Sequence, residues 1–356
     1  MKIAICGAGN EGCALAADLS YKGNEVKLIK TSESIHDSNF NYLQKNLGNI
    51  TLIESTGEEK KGKIKLVTRE LNEISDCEII IITIQTSYHE ELIKKMVKYL
   101  NDNQIVLINP GYFSTAYFLK HCSKNICVVE AESSFIDCRI VSNGVVSSFF
   151  RNVRNPVGVF PSEKMSFACK KLEKLKFPLT YITVVEAALH NPNLILHTSG
   201  AIMNITSIEK EKDEFCLYGT GFTEATLRIL EALDNEKIEI LEALGLKGIS
   251  YFEACKYRNS LSDENAKDVF INYTKTAKNI KGPSSIYSRY ITEDVSQGLV
   301  MLESIGKHLN IHTPVCTALI DISSKALAID FRKNGRNIDN LGEKNIKKIL
   351  RDSINE

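Results

Sequence analysis

Short apolar runs and helix-like stretches alternate along the first half of the chain. Apolar runs of strand length fall at residues 2–6, 25–29, 63–67, 79–84, 104–108 and 127–132. The run at 79–84 is typical of a strand that is covered on both faces. Strands that alternate with helices predict an α/β fold with a doubly wound parallel sheet. Residues 138–141 and 157–160 are expected to extend this sheet by two more short strands.

The pattern changes in the second half of the chain. From residue 184 onward the apolar residues recur with helical spacing, and helices are predicted at residues 184–206, 223–244, 296–309 and 314–331. We therefore predict an α/β domain over residues 1–175 and an all-α domain over residues 176–356. At 356 residues the chain is long enough for each domain to bury its own core.

A glycine-rich turn follows the first predicted strand and opens a helix of small residues. The sequence GAGNEG occupies residues 7–12, and the second strand completes a βαβ unit. In a Rossmann-like dinucleotide-binding domain, Gly7 would allow the tight turn, Gly9 the approach of the pyrophosphate, and Gly12 the close packing of helix on strand. The helix N-terminus offers N–H groups and a positive dipole end to phosphates. The alternative is a structural glycine turn in another α/β protein.

The residues after the second strand bear on the choice of cofactor. NAD enzymes usually carry Asp or Glu there to accept a hydrogen bond from the ribose 2′-OH, whereas this chain has Lys30, Thr31 and Ser32. A cation and two hydroxyls suit a 2′-phosphate, which predicts NADP(H). Glu33 follows, and a small shift of the strand end would favour NAD, while Lys30 could also be a solvated surface lysine. The predicted cofactor-binding residues are Gly7, Ala8, Gly9, Asn10, Glu11, Gly12, Lys30, Thr31, Ser32 and, at the ends of two later strands, Thr83 and Glu132.

Charge and composition argue against several classes of protein. Lys plus Arg and Asp plus Glu both number 44, so the net charge is zero, and no basic block offers a face for nucleic acid. No apolar stretch reaches the roughly 18 residues of a membrane span, and no signal pattern is found, so we expect a cytoplasmic protein that contacts no membrane. The ten cysteines and seven histidines are scattered, which predicts reduced thiols and no metal site.

Two polar segments stand out in the helical half. Pro192 predicts that a helix starts near Asn191, which places His197 on an otherwise apolar turn. The second segment, residues 288–295, holds Arg289 and two adjacent acids that open another helix. The simpler interpretations are a hydrogen-bonded core histidine and helix N-terminal electrostatics. Alternatively, a carboxylate beside the histidine would fix its tautomer and stabilise its charge during proton transfer, which makes the two segments candidate partners.

Several of these features occur together in one order along the chain. They are the glycine fingerprint, residues 132–139, the stretch from Asn191 through His197 to Asn204, residues 234–236 and residues 289–299. In this combination the chain resembles the octopine/nopaline (opine) dehydrogenase family over most of its length. The resemblance implies an NAD(P)H-dependent reductive condensation. The amino group of an L-amino acid joins the carbonyl of a 2-oxo acid, and hydride reduces the resulting imine.

The resemblance also implies roles for single residues. His197 would be the general acid/base, Asp294 would orient it and stabilise its charge, and Arg289 would hold a substrate carboxylate. Asn193 and Tyr290 would be further substrate-binding residues. The active site is expected in a cleft between the two domains, the partners would be small-molecule substrates, and a homodimer is the expected assembly. Where relatives are expected to have a proline after the acid pair, this chain has Val-Ser-Gln at residues 295–297, which bears on the amino-acid preference of the pocket.

Two other interpretations stay open. A ketopantoate or 2-hydroxy-acid reductase would share this layout and use a lysine of the helical domain for proton transfer, and Lys210, Lys212 and Lys278 are available. A dinucleotide-binding regulator would bind NADP(H) without any chemistry of its own. Oxidation of the cofactor that depends on an added amine would separate the opine enzyme from both.

Overall fold

The computed structural model describes residues 1–32 and 36–354. The chain divides into two units, Met1–Val184 and Val185–Glu356. Unit 1 is an α/β structure and unit 2 is helical, which confirms the predicted fold class.

Unit 1 contains a large and a small β-sheet. The large sheet has eight strands in the order β12-β11-β8-β7-β6-β1-β2-β5, and the small sheet has four in the order β4-β3-β10-β9. The large sheet is parallel from β8 to β5, and β11 and β12 run in the opposite direction at one edge. The strands are β1 (Lys2–Cys6), β2 (Glu25–Ile29), β3 (Asn49–Ile53), β4 (Glu59–Lys63), β5 (Leu66–Thr68), β6 (Ile79–Ile82), β7 (Ile105–Ile108), β8 (Cys127–Ala131), β9 (Ile136–Ser142), β10 (Val145–Arg151), β11 (Asn155–Phe160) and β12 (Leu179–Ile182). The α-helices are α1 (Asn10–Tyr21), α2 (Asp37–Lys45), α3 (His89–Met96), α4 (Thr115–His121) and α5 (Met165–Leu172).

The central strands of the large sheet are short, apolar and fully covered. Every residue of β6 is buried, and the strand pairs in parallel with β1 on one side and β7 on the other. In this register Ile81 lies between Ile5 and Leu107. A strand with neighbours on both edges and cover on both faces has no position for a polar side chain, which explains its unbroken apolar sequence.

Helix α1 is buried along most of its length. Residues 12–19 are all buried, and the helix contacts β2 of the large sheet as well as β4 and β9 of the small sheet. A helix that is covered on several sides carries apolar or small residues all round, as this one does. Its buried Asp18 carboxylate is neutralised by Lys22 at 2.7 Å and by Arg151 of β10 at 2.8 Å. The small sheet therefore completes the packing around α1.

The prediction that residues 138–141 extend the large sheet is wrong. They belong to β9, which pairs antiparallel with β10 in the small sheet. The physical reason is that α1 has a second flank to cover, and the polar segment before β5 supplies β3 and β4 for the same layer. Residues 157–160 do extend the large sheet, as part of β11. Because β12 pairs with β11, this sheet continues past residue 175, at which the sequence pattern placed the domain boundary.

Unit 2 is built from helices of very different lengths. The longest, α9, buries both apolar and charged side chains, and two π-helical turns occur at Leu217–Gly221 and Val295–Leu299. None of the helices within residues 1–32 and 36–354 has the length and apolarity needed to cross a membrane. The α-helices from the end of unit 1 onward are α6 (Val184–Leu189), α7 (Pro192–Ile202), α8 (Ile205–Glu211), α9 (Glu224–Ala243), α10 (Tyr251–Asn259), α11 (Ala266–Thr276), α12 (Arg289–Thr292), α13 (Val300–His308), α14 (Pro314–Leu327), α15 (Phe331–Asn334), α16 (Ile338–Leu341) and α17 (Glu343–Ile354).

Buried charged side chains in one turn of α9 bind the first turns of α10 and α14. Lys237 and Asp234 form an ion pair of 2.5 Å, and both side chains are almost completely buried. Asp234 also accepts a hydrogen bond from the backbone N–H of Tyr251 at the start of α10, at 2.6 Å. Glu236 accepts from two backbone N–H groups in the first turn of α14, at 2.6 and 2.9 Å. The acidic pair at residues 234 and 236 therefore has a structural function in unit 2.

We predict that Asp234→Ala destabilises the protein strongly. The substitution leaves the buried Lys237 ammonium without its carboxylate, which typically costs about 3–5 kcal/mol. Glu231→Ala is the control on the same helix, because its ion pair with Lys267 is exposed and should contribute less than about 1 kcal/mol. Urea denaturation followed by circular dichroism measures both. Equal midpoints for the two variants would contradict the prediction.

Candidate active site

In the glycine turn between β1 and α1, two of the three glycines have no room for a side chain, and the third has. Gly7 has a φ of +126°, and a Cβ on it would lie 2.7 Å from Thr83 Oγ1. A Cβ on Gly12 would lie 1.7 Å from the carbonyl oxygen of Gly7. By contrast, a Cβ on Gly9 would have no atom within 4 Å. Gly7 and Gly12 are therefore required by the fold itself, and Gly9 borders open space.

This turn fits the pyrophosphate of a dinucleotide. Gly9 is the N-cap of α1, so the first N–H groups of the helix and its positive dipole end lie beside the open space. Thr83 follows β6 and donates a hydrogen bond to the carbonyl oxygen of Gly7 at 3.2 Å, which places it against the turn. Ala8 is buried within the turn. Phosphate binding at this turn stays a prediction.

Two polar residues of the fingerprint hold the turn in place. The Asn10 Oδ1 atom accepts a hydrogen bond from the backbone N–H of Ile140 at 2.9 Å. Glu11 accepts from Asn109 Nδ2 at 2.8 Å, from the backbone N–H of Phe135 at 3.0 Å and from Ser134 Oγ at 3.0 Å. The side chains of both residues thus connect α1 to segments that follow β7 and β8. The predicted residue Glu132 lies in the same region, buried directly after β8.

The end of β2 carries a cluster of charges. Lys30 is buried, and its ammonium lies 3.0 Å from Ser32 Oγ and 3.4 Å from an Asp37 oxygen, so it is not a solvated surface lysine. Thr31 is exposed, and Glu33 lies outside the described residues. Desolvation opposes the ionisation of Asp37, but hydrogen bonds from Arg69 and Lys30 outweigh it and lower the pKa of this carboxyl.

Arg69 is a candidate that the sequence did not reveal. The parallel register pairs Ile29 with Thr68, so the residues after β2 and β5 lie side by side. The Arg69 guanidinium is 2.8 Å from Asp37, lies over the Phe40 ring at 4.9 Å, and remains 41% exposed. Strand pairing alone carries this information, and the sequence offers no local motif for it.

In unit 2 the structure brings together the two polar segments that were candidate partners. Asn191 caps α7 and accepts a hydrogen bond from the backbone N–H of Asn193, which confirms the predicted helix start. His197 lies further along α7, and its Nδ1 atom is 2.8 Å from an oxygen of Asp294. Asp294 is 1% exposed and His197 is 13% exposed. Within residues 1–32 and 36–354, no other hydrogen bond to the imidazole is found.

The segment at residues 289–294 contacts His197 through two side chains. The ring of Tyr290 stacks on the imidazole with centroids 3.9 Å apart and an angle of 28° between the planes. Tyr290 and Asp294 are four positions apart and so lie on the same side of the helical turn. Arg289 and Glu293 form a parallel pair, with Nε and the carboxylate 3.5 Å apart and the Arg289 side chain 52% exposed.

Asp294 stands where α12 passes into a π-helical turn. The turn spans Val295–Leu299, and Ser296 donates a hydrogen bond to the Thr292 carbonyl oxygen at 2.8 Å. Single π-helical turns are rare and occur often at functional sites. The Val-Ser-Gln departure from the expected proline falls within this turn. Asn193 lies on the same face of α7 as His197, one turn earlier, and is half-buried.

Other histidine and lysine candidates in this part of the chain lack the properties of a proton-transfer group. Burial lowers the pKa of His190 to about 3, and the charge of Lys237 acts in the same direction, so this imidazole stays neutral. Lys210, Lys212 and Lys278 are all exposed to solvent. Among the residues that the structure describes, no three His, Cys, Asp or Glu side chains are grouped to hold a metal.

A dinucleotide-binding sheet domain followed by a helical domain with a buried His–Asp pair defines a nicotinamide-dependent oxidoreductase. The family model "NAD/NADP octopine/nopaline dehydrogenase, alpha-helical domain" matches residues 181–327, and the model "Ketopantoate reductase PanE/ApbA" matches residues 3–129. An opine dehydrogenase from Arthrobacter sp. (strain 1C) is 28% identical over 349 residues, which cover 95% of this chain and 94% of that protein. The chain is thus similar over nearly its full length to opine dehydrogenases, and its helical part matches the octopine/nopaline dehydrogenase family model.

Solved structures share the fold over the full length of the chain. An octopine dehydrogenase in complex with NADH and agmatine has a TM-score of 0.80 at 17% identity and covers 98% of both chains. The same enzyme type has been solved with NADH and L-arginine and with NADH and pyruvate. An NADP⁺-bound yersinopine dehydrogenase has a TM-score of 0.75 at 15% identity, over 100% of this chain and 99% of that one. Both nicotinamide cofactors therefore occur among structures of this fold.

We predict that alanine at Gly12 lowers the stability of the protein, whereas alanine at Gly9 lowers its affinity for the cofactor. Gly12→Ala places a methyl group against the Gly7 carbonyl and should lower the free energy of unfolding by about 3 kcal/mol or more. Gly9→Ala should change stability by less than about 0.5 kcal/mol, because its methyl group meets open space. The same methyl group blocks the approach of a pyrophosphate, so NADPH affinity should fall at least about tenfold. Thermal unfolding and NADPH fluorescence titration measure the two effects, and unchanged affinity of a folded Gly9→Ala variant would contradict this assignment.

Proposed function

We propose that this protein is an opine dehydrogenase that joins the amino group of an L-amino acid to a 2-oxo acid and reduces the product with NADPH. The observation that carries the proposal is the 2.8 Å contact between His197 Nδ1 and Asp294, because it engages Nδ1 and leaves Nε2 as the ring nitrogen for proton transfer. The amine and the carbonyl condense to an imine with loss of water. When bound, the reduced nicotinamide supplies the hydride that converts the imine into a secondary amine.

His197 would carry the proton that the condensation needs. The Asp294 carboxylate accepts the hydrogen bond from Nδ1–H, so Nε2 of the neutral imidazole is a base. This nitrogen takes a proton from the ammonium group of the amino acid, and the free amine then attacks the carbonyl carbon. A second proton moves from the attacking nitrogen to the carbonyl oxygen, which becomes a hydroxyl group. The proton held by His197 then adds to this hydroxyl group, which leaves as water and gives the protonated imine. Asp294 stabilises the imidazolium while it holds its proton.

Arg289 would hold a substrate carboxylate. Its side chain is 52% exposed, and its Nε atom lies 3.5 Å from the Glu293 carboxylate. A carboxylate matches the guanidinium fork with two parallel hydrogen bonds. Asn193, one turn before His197 on α7, would be an additional donor or acceptor for the substrate. When the protein holds both substrates near one imidazole, the reaction step no longer carries the entropy cost of bringing two substrates and a proton-transfer group together.

NADP(H) is the cofactor that the charges after β2 and β5 favour. Lys30 and Arg69 contribute two cations, and the Asp37 carboxylate between them is already engaged by both. Arg69 is the more exposed of the two and has the planar fork that suits a 2′-phosphate. In an NAD enzyme an acid at this place would instead be available to the ribose 2′-OH.

The first test is whether cofactor oxidation requires an amine. Nicotinamide absorbance is followed with pyruvate or 2-oxoglutarate, alone and with a panel of amino acids, and products are identified by mass spectrometry. We expect amine-dependent oxidation and a secondary amine dicarboxylate as the product. His197→Asn should lower kcat by about 10²- to 10⁴-fold, the range of general acid–base catalysis. Oxidation of NADPH by the 2-oxo acid alone would instead identify a reductase of the ketopantoate type.

A second test addresses the cofactor. Arg69→Ala should raise KM for NADPH by about tenfold or more, since hydrogen bonds to a charged group contribute roughly 1.5–3 kcal/mol. KM for NADH should not rise, because NADH lacks the 2′-phosphate. Lys65→Ala is the control, as an exposed cation just before β5. Equal effects of Arg69→Ala on both cofactors would remove the support for NADP(H).

A further inference from the structure

The rings of Tyr290 and His197 stack at a shorter centroid distance than is usual for aromatic pairs in proteins. Their ring centroids are 3.9 Å apart, and the planes are tilted by only 28°. Aromatic pairs in proteins usually have centroids about 4.5–7 Å apart and often meet edge to face. The phenol ring of Tyr290 therefore covers one face of the imidazole.

The stack and the carboxylate constrain the imidazole in different ways. The hydrogen bond from Nδ1 to Asp294 anchors one corner of the ring. It leaves the ring free to swing about that corner, because a single hydrogen bond tolerates a wide range of angles. The stack with Tyr290 removes this freedom, since a tilt of the imidazole would separate the two faces. Together the two contacts fix both the position and the plane of the ring, and hence the direction of Nε2.

Both constraints come from one short segment of chain. Tyr290 lies in α12, Asp294 follows one turn later, and the spacing of four residues places both side chains on the same side of the turn. Arg289 and Glu293 form the second pair on the neighbouring side. Tyr290 and Asp294 thus contact the imidazole, whereas the pair of Arg289 and Glu293 presents a cation to solvent.

We infer that Tyr290 is a positioning residue that acts through His197 and does not itself bind the substrate. This inference rests on the proposed function, since it assigns Tyr290 to the histidine that transfers the proton. The aromatic face is the part of Tyr290 that matters, and the phenol hydroxyl is dispensable.

The experiment compares Tyr290→Phe, which keeps the stacking ring, with Tyr290→Leu, which removes it. Amine-dependent NADPH oxidation is measured at saturating substrates, and KM is determined for the amino acid, the 2-oxo acid and NADPH. Tyr290→Leu should lower kcat on the order of tenfold, because a misdirected catalytic group costs that much or more, and all three KM values should stay within about twofold. Tyr290→Phe should retain the wild-type kcat. Tyr287→Leu is the control, because this tyrosine is 61% exposed in the loop just before α12.

A double substitution tests the route of the effect. In a His197→Asn background, Tyr290→Leu should cause no further loss of product formation, because residues that act as one unit are not additive. Product is quantified by mass spectrometry, which reaches the low residual rate. An additional loss in this background, a raised KM for either substrate, or a loss in Tyr290→Phe equal to that in Tyr290→Leu would overturn the inference and assign Tyr290 to substrate binding.

The outcome for His197 separates the two proposals. If His197→Asn leaves kcat unchanged, the proposed function fails whatever Tyr290 does. If His197→Asn lowers kcat and Tyr290→Leu has no effect, only the positioning role is overturned.

Discussion

The close approach of helix α1 to the turn before it is the constraint on which unit 1 depends. Because Gly12 has no side chain, the Gly7 carbonyl can occupy the space that a Cβ would fill. This contact brings the helix N-terminus to the carboxyl edge of β1 and lays its buried flanks against two sheets at once. Asn10 and Glu11 then tie the turn to later segments. A turn held from so many sides would lose little freedom on binding a phosphate group, and so it is preorganised.

The main constraint in unit 2 is the buried contact between the His197 imidazole and the Asp294 carboxylate. The carboxylate of Asp294 is almost fully buried, and a charge in that position needs a partner. The change from α-helical to π-helical winding occurs directly after this residue. A wider turn at this point stops the next residues from following the regular helical positions. The local irregularity is thus concentrated beside the pair and not spread over the helix.

Features that depend on neighbouring residues could be predicted from the sequence, and those that depend on distant pairing could not. The order of β1, α1 and β2 follows from apolar period and glycine spacing within some thirty residues. The partnership of His197 with Asp294, which are 97 positions apart, could be suggested from the chemistry of two separate polar segments, and the roles of the two residues came from the resemblance to a family. The small sheet and Arg69 were missed, because both depend on the register between separate strands. The π-helical turn at Val295–Leu299 could not be predicted either, because its amino-acid composition does not distinguish it from an α-helix.

The shared carboxylate of Asp37 has a consequence for how cofactor preference can evolve. Lys30 and Arg69 both bind this group, so one carboxylate at the start of α2 is shared between two cations. Loss of one cation would remove a positive charge and would also leave the Asp37 carboxylate held by a single partner. An acid that is held less firmly repels a phosphate and accepts a hydrogen bond from a hydroxyl group. A single substitution of either cation would therefore shift the preference of this cluster from a phosphate toward a hydroxyl group.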